Sequence, residues 1–187
     1  IDYYNKIYRL RSFGDSDLSY NYRMTEFAGA LGKVGLKKLD IQNNIRIENA
    51  LLLSYLLKDN EFLTVRMCNK SEKCVYYAVL LELKKDIPNL DSRLENLQNK
   101  GIFIRKTWDP LHTHPHFNPG SVIPSRGLPW RNGNYDGSMQ NLQYKKLMLK
   151  NVTNYCPHKI FEMYVHPPVG EDLIKISATE INKQFSM

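Results

Sequence analysis

The stretch Tyr20-Asn21-Tyr22-Arg23-Met24-Thr25-Glu26-Phe27 sets polar and aromatic residues directly before an expected helix start. A helix start offers free N–H groups and the positive end of the backbone dipole, so anions bind there readily. Asn21 can donate its amide to a phosphate oxygen. Arg23 can pair bidentately with a phosphate or a carboxylate. The competing reading is structural: Arg23 pairs with Glu26, and Asn21 shapes a turn. Residue types alone favour that plainer reading, because structural ion pairs are common.

A second cluster is Trp108-Asp109-Pro110-Leu111-His112-Thr113-His114-Pro115-His116. In an extended strand His112, His114 and His116 would share a face. Three imidazoles and a water can complete a zinc tetrahedron. Pro110 and Pro115 bend the segment, however, and no carboxylate stands at a useful spacing as a fourth ligand. The expectation is therefore no metal, with the histidines facing a polar ligand or solvent. A third cluster is Gly127–Gly137, where Trp130 and Tyr135 supply flat apolar faces and Arg131, Asn132 and Asn134 supply hydrogen bonds. Such mixtures line sugar and nucleotide pockets, and they also make well-packed surface loops. There is no phosphate-binding loop of Walker type, no dinucleotide fingerprint, no nucleophile elbow and no zinc-protease helix. No catalytic residue is assigned.

These residues have to be positioned by a chain of 187 residues, 42% hydrophobic and 24% charged. That is near the globular norm and excludes a disordered tail or a mini-protein. No run reaches the ~20 apolar residues of a membrane span, and Ile1–Leu10 is too charged for a signal peptide. The absence of a starting Met points to part of a longer chain. Cys68, Cys74 and Cys156 read as reduced thiols, with Cys68 and Cys74 able to face each other across a hairpin. The net charge of +7 suits an anionic partner, although the Lys and Arg residues are scattered as on an ordinary solvated surface.

Hydrophobic spacing predicts a helix over Tyr3–Phe13 and an extended piece over Leu18–Met24. A helical pair follows over 25–59, with Thr25 as one N-cap and Asp40 as the next. Ile41, Ile45, Leu52 and Leu56 should face inward. Gly29, Gly32 and Gly35 should mark close approach of another backbone, because each interior glycine costs ~1 kcal/mol. Phe62–Met67 and Cys74–Leu83 read as a hairpin. Asn89–Lys100 reads as a helix with Gly101 just past its end, and Ile102–Thr107 as a strand. A long loop over Asp109–Gly137, a short helix over Asn141–Asn151, an extended piece over Lys159–Val165 and a helix over Glu171–Phe185 complete the chain. The order indicates an α+β fold with a small, mainly antiparallel sheet.

The residues from Tyr20 to Gly32, continued by Leu36-Lys37-Lys38-Leu39-Asp40, closely resemble a segment of the DegT/StrS-type nucleotide-sugar aminotransferases. Further matches follow in order. Gly101-Ile102 with Trp108-Asp109-Pro110-Leu111-His112 is one, Asn154-Tyr155-Cys156-Pro157-His158-Lys159-Ile160 is another, and His166-Pro167-Pro168-Val169-Gly170-Glu171-Asp172 resembles the family's HPPVGEED. The resemblance implies the C-terminal part of a fold-type I enzyme that uses pyridoxal 5'-phosphate. Residues 1–24 would end the large domain and 25–187 would form the small one, made of the helical pair and an α+β part over 61–187. It implies that Asn21 reaches the cofactor phosphate across a homodimer, that Arg23 either anchors the loop or contacts substrate, and that His112 lies near the sugar-nucleotide pocket. Trp130, Arg131 and Tyr135 match no general family pattern and are candidates for substrate choice. The lysine that holds the cofactor would lie in the absent N-terminal domain, so the chain alone should be inactive. The implied reaction moves an amino group from glutamate to a keto sugar on a nucleotide diphosphate, in the cytoplasm, with no nucleic acid or membrane partner. The alternatives are a sugar dehydratase of the same family, or a non-catalytic basic module whose tyrosines stack bases.

Overall fold

The computed structural model describes residues 2–11, 20, 22–69, 71–114, 147 and 149–186. They form two units, 1–42 and 43–187. In the first, helix α1 (Asp2–Arg11) carries Tyr3, Tyr4, Ile7, Tyr8 and Leu10 exposed. It is trimmed by a Lys6–Asp2 ion pair at 2.8 Å and by Arg11 lying 4.9 Å from the Tyr8 ring centre.

Helix α2 (Glu26–Leu56) is one helix of 31 residues. The expected helical pair is thus a single element. Asp40 does not cap a second helix, because no Pro or Gly interrupts Leu36–Leu57 and an unbroken helix satisfies every backbone donor there. Thr25 does cap it: its hydroxyl accepts the Ala28 N–H at 3.1 Å. The inner face is also rotated from expectation. Ala50, Leu53 and Leu57 are buried, Leu52 and Leu56 pack at their edge, and Ile41 is exposed. Among the described residues of this chain, no backbone approaches the three glycines. A Cβ on Gly32 or Gly35 would meet nothing within 4 Å, and one on Gly29 only the Met24 sulfur at 3.8 Å. In the isolated chain Gly35→Ala should therefore stabilise α2 by about 0.5–1 kcal/mol, read as a gain in helical far-ultraviolet circular dichroism and a higher melting temperature.

The second unit is built on strands β1 (Leu63–Arg66), β2 (Val79–Leu83), β3 (Ile104–Lys106) and β4 (Ile160–Met163). They pair antiparallel throughout, in the order β1-β2-β4-β3. The α+β expectation agrees with this sheet and its helices. β2 starts at Val79, not Cys74, because Tyr76 has φ 45°, which breaks the extended run. β3 starts at Ile104 because the preceding residues end helix α3 (Leu90–Asn99). There Gly101 has φ 80°, its N–H donates to the Gln98 carbonyl at 2.8 Å, and the Ile102 N–H donates to the Leu97 carbonyl at 3.1 Å. This is the paired-bond helix stop that glycine permits.

Helix α4 (Lys150–Tyr155) begins near the end of the helix expected over Asn141–Asn151. Residues 141–146 and 148 lie outside the described residues. Helix α5 (Glu171–Gln184) opens on Glu171 and Asp172, which suit the positive end of its dipole. The sheet's inner side chains (Leu63, Val79, Leu81, Ile104, Phe161, Met163) meet Leu53, Leu97, Ile174, Ile181 and Phe185 in one core. Leu173 and Ile176 are exposed, and Ser177 and Ala178 take the buried side of α5.

Candidate functional site

In the first unit the polar segment ahead of α2 ends at a real helix start. Arg23 and Thr25 are exposed there, and Glu26 opens the first turn. The positive end of that helix and the Arg23 guanidinium suit an oxyanion such as a phosphate. Asn21 itself lies outside the described residues.

In the second unit the strand-to-turn passage after β3 places His112. The Thr107 N–H donates to the Ile160 carbonyl at 3.1 Å, so the segment leaves the sheet tied to β4. A single 3₁₀ turn follows at Leu111–Thr113. The Thr113 hydroxyl and N–H both donate to the Pro110 carbonyl, at 2.7 and 2.8 Å. His112 is half-buried on this turn, and His114 is exposed just after it. The bend that proline forces is therefore present, and His112 and His114 do not continue a strand. Among the described residues no group of three or more His, Cys, Asp or Glu is placed to hold a metal ion. His116, Trp130, Arg131 and Tyr135 lie outside the described residues.

Sequence reasoning missed a cluster on the outer side of the sheet. Phe103 and Tyr164 stack at 4.4 Å between ring centres, and His166 lies 5.2 Å from Tyr164. The Tyr77 and Tyr164 hydroxyls meet at 3.2 Å. That bond, with partial burial, pushes the Tyr164 phenol above its usual range. Arg105 pairs with the buried Glu162 and lies 4.9 Å from the Trp108 ring. Phe103, Tyr164, His166, Leu173 and Ile176 line a cavity of about 230 Å³. The available signal was alternation: Phe103 just before β3 and Arg105 on it, Glu162 on β4 and Tyr164 and His166 just after it, each at i, i+2. An apolar floor with a few polar groups can take a flat or partly apolar ligand.

The sequence over residues 3–149 matches the DegT/DnrJ/EryC1/StrS aminotransferase family. No curated protein matches. Solved structures share the fold. Helicobacter pylori PseC, an aminotransferase involved in the biosynthesis of pseudoaminic acid, superposes with a TM-score of 0.70 at 20% identity, covering 98% of this chain and 46% of that one. S. venezuelae DesV superposes at 0.64 with 13% identity, over 98% of this chain and 44% of that one. E. coli GDP-4-keto-6-deoxy-D-mannose-3-dehydratase, solved with bound hydrated PLP, superposes at 0.57 with 20% identity, over 90% of this chain and 38% of that one. The chain thus spans less than half the length of these structures.

Proposed function

Since the chain belongs to the DegT/DnrJ/EryC1/StrS aminotransferase family, we propose that it is the C-terminal part of a pyridoxal-phosphate enzyme that aminates a keto sugar carried on a nucleotide diphosphate. Glutamate is the proposed amino donor. The division at residues 24 and 25, the homodimer, and cytoplasmic residence belong to the same proposal. The observation that carries it is the family match, which runs across both the polar segment before α2 and His112.

The described residues fit the cofactor in part. The start of α2 suits its phosphate. The lysines do not suit its carbonyl: Lys106 and Lys159 are half-buried but paired with Asp91 and Asp86, and the others described are exposed. The cofactor, when bound, would act as the electron sink for amino transfer. The role proposed for this chain is to bind and orient: Asn21 and the α2 start at the phosphate, Arg23, His112, Trp130, Arg131 and Tyr135 toward substrate. Among the described residues no helix is long and apolar enough to cross a membrane.

The test is to express the chain joined to the coding sequence that precedes it and assay it with glutamate, pyridoxal phosphate and nucleotide-linked keto sugars. The joined protein should aminate the sugar, and the 187-residue chain should not. Asn21→Ala in the joined protein should weaken cofactor retention by ~10–100-fold, the loss expected for one hydrogen bond to a charged oxygen. Transamination by the short chain alone, or a joined protein that binds no cofactor, would overturn the reading. The dehydratase likeness supports a second reading, and product mass separates the two: an aminated sugar gains nitrogen, a dehydrated one loses water.

A further inference from the structure

We propose that Cys68 and Cys74 form a paired thiol site that a hydroperoxide converts to an intramolecular disulfide. The pair sits in the connection between β1 and β2, and it is independent of the functional reading above. The Cys68 sulfur lies 3.3 Å from the Tyr76 hydroxyl and 3.6 Å from the Glu72 carbonyl oxygen. The same hydroxyl is 3.5 Å from the Cys68 N–H. Cys74 follows the same turn, and each of the two thiols shifts the titration of the other. The turn between the two cysteines is closed by the Glu72 N–H donating to the Asn69 carbonyl at 2.9 Å. Tyr76 takes φ 45°, an uncommon conformation for a bulky residue, beside the sulfur its hydroxyl meets. Both thiols are free and half-buried, so a small oxidant can reach them.

The environment separates their roles. Hydrogen bonds from Tyr76 and Cys74 hold the Cys68 thiol below its usual range. The bonded Cys68, partial burial and the Glu72 carboxylate push Cys74 above it. The thiolate is the nucleophile, so Cys68 attacks first. Its sulfur takes the distal peroxide oxygen, the O–O bond breaks, and the leaving alkoxide or hydroxide picks up a proton. Cys68 is then a sulfenic acid. The Cys74 sulfur attacks it, the S–S bond forms, and the sulfenic hydroxyl leaves as water with the Cys74 proton. Two thiols have lost two electrons, and the peroxide has gained them.

The experiment treats the native chain with hydrogen peroxide and maps its peptides without reduction. The expected product is a Cys68–Cys74 link, lighter by two hydrogens and reversed by a thiol reductant, formed before Cys156 oxidises. Cys74→Ser should leave a Cys68 sulfenic acid that dimedone traps. Tyr76→Phe should slow Cys68 oxidation several-fold and leave the Cys156 rate unchanged. Cys68 and Cys74 still reduced when Cys156 is oxidised, or a link from Cys68 to Cys156, would overturn the proposal. The wild-type map needs no variant, so a variant that fails to fold does not shelter it.

Discussion

Asn60→Ala should lower the unfolding free energy of the second unit by about 2–4 kcal/mol, from several hydrogen bonds lost at a buried site. Asn60 is 9% exposed and uses its whole amide. Its oxygen accepts the Phe62 and Leu63 N–H groups at 2.9 and 2.8 Å. Its nitrogen donates to the Asn182 side chain at 2.8 Å and to the Phe185 carbonyl at 3.2 Å. One side chain therefore fixes the end of α2, the entry to β1 and the last turn of α5. Alanine leaves two backbone donors and one carbonyl without partners beside the core, and an unmet buried group costs more than a met one contributes. Asn60→Asp separates the halves of the argument. It keeps both acceptor functions but removes the donor, so its loss should fall between wild type and alanine. Urea denaturation with an unchanged slope and a lower midpoint is the expected record. A midpoint unmoved by Asn60→Ala would mean that water replaces the amide.

Asn60 also shows what the sequence did and did not make legible. Lys58-Asp59-Asn60 reads correctly as the end of a helix, because that signal is local. The partners that make Asn60 a junction are 122 and 125 residues away, and no spacing rule reaches that far. Asn49 is the same case: its amide donates to the Val165 and Val169 carbonyls at 2.9 and 2.8 Å, and it looks in sequence like an ordinary polar residue on a helix. The Thr25 cap and the Gly101 stop were legible because three or four residues contain each. Asp40 misled for the same reason in reverse. Its capping chemistry is genuine, but a helix already running needs no new start. The antiparallel sheet followed from the hairpin and the order of the elements, whereas its order β1-β2-β4-β3 depends on which strand fills the centre. The candidate site divides likewise. The helix start beside Arg23 is local and was read. The Phe103–Tyr164–His166 cluster joins segments that flank β3 and β4, far apart in sequence, and was not.

Phe161→Ala should be the most damaging single change, at about 3–5 kcal/mol, against a total of ~5–15 kcal/mol for an ordinary domain. Phe161 is fully buried on β4, opposite Leu81 of β2 and Lys106 of β3 in register. Its ring lies 6.1 Å from that of Phe185 at the end of α5. Truncation removes the ring's burial and leaves a cavity that strands held on both sides cannot close. Phe161→Leu keeps part of the volume and should cost about 1–2 kcal/mol. The consequence extends to the candidate site. The segment that carries His112 is tied to β4 through the Ile160 carbonyl, which accepts both the Thr107 N–H and, at 3.3 Å, its hydroxyl. A β4 with no ring beneath it holds that tie less firmly. The His112 imidazole resonances should therefore stay near their wild-type positions in Phe161→Leu and broaden or shift in Phe161→Ala at temperatures where both remain folded. Resonances unchanged in the alanine variant would mean that the Pro110–Thr113 turn holds His112 by itself, with no help from the core.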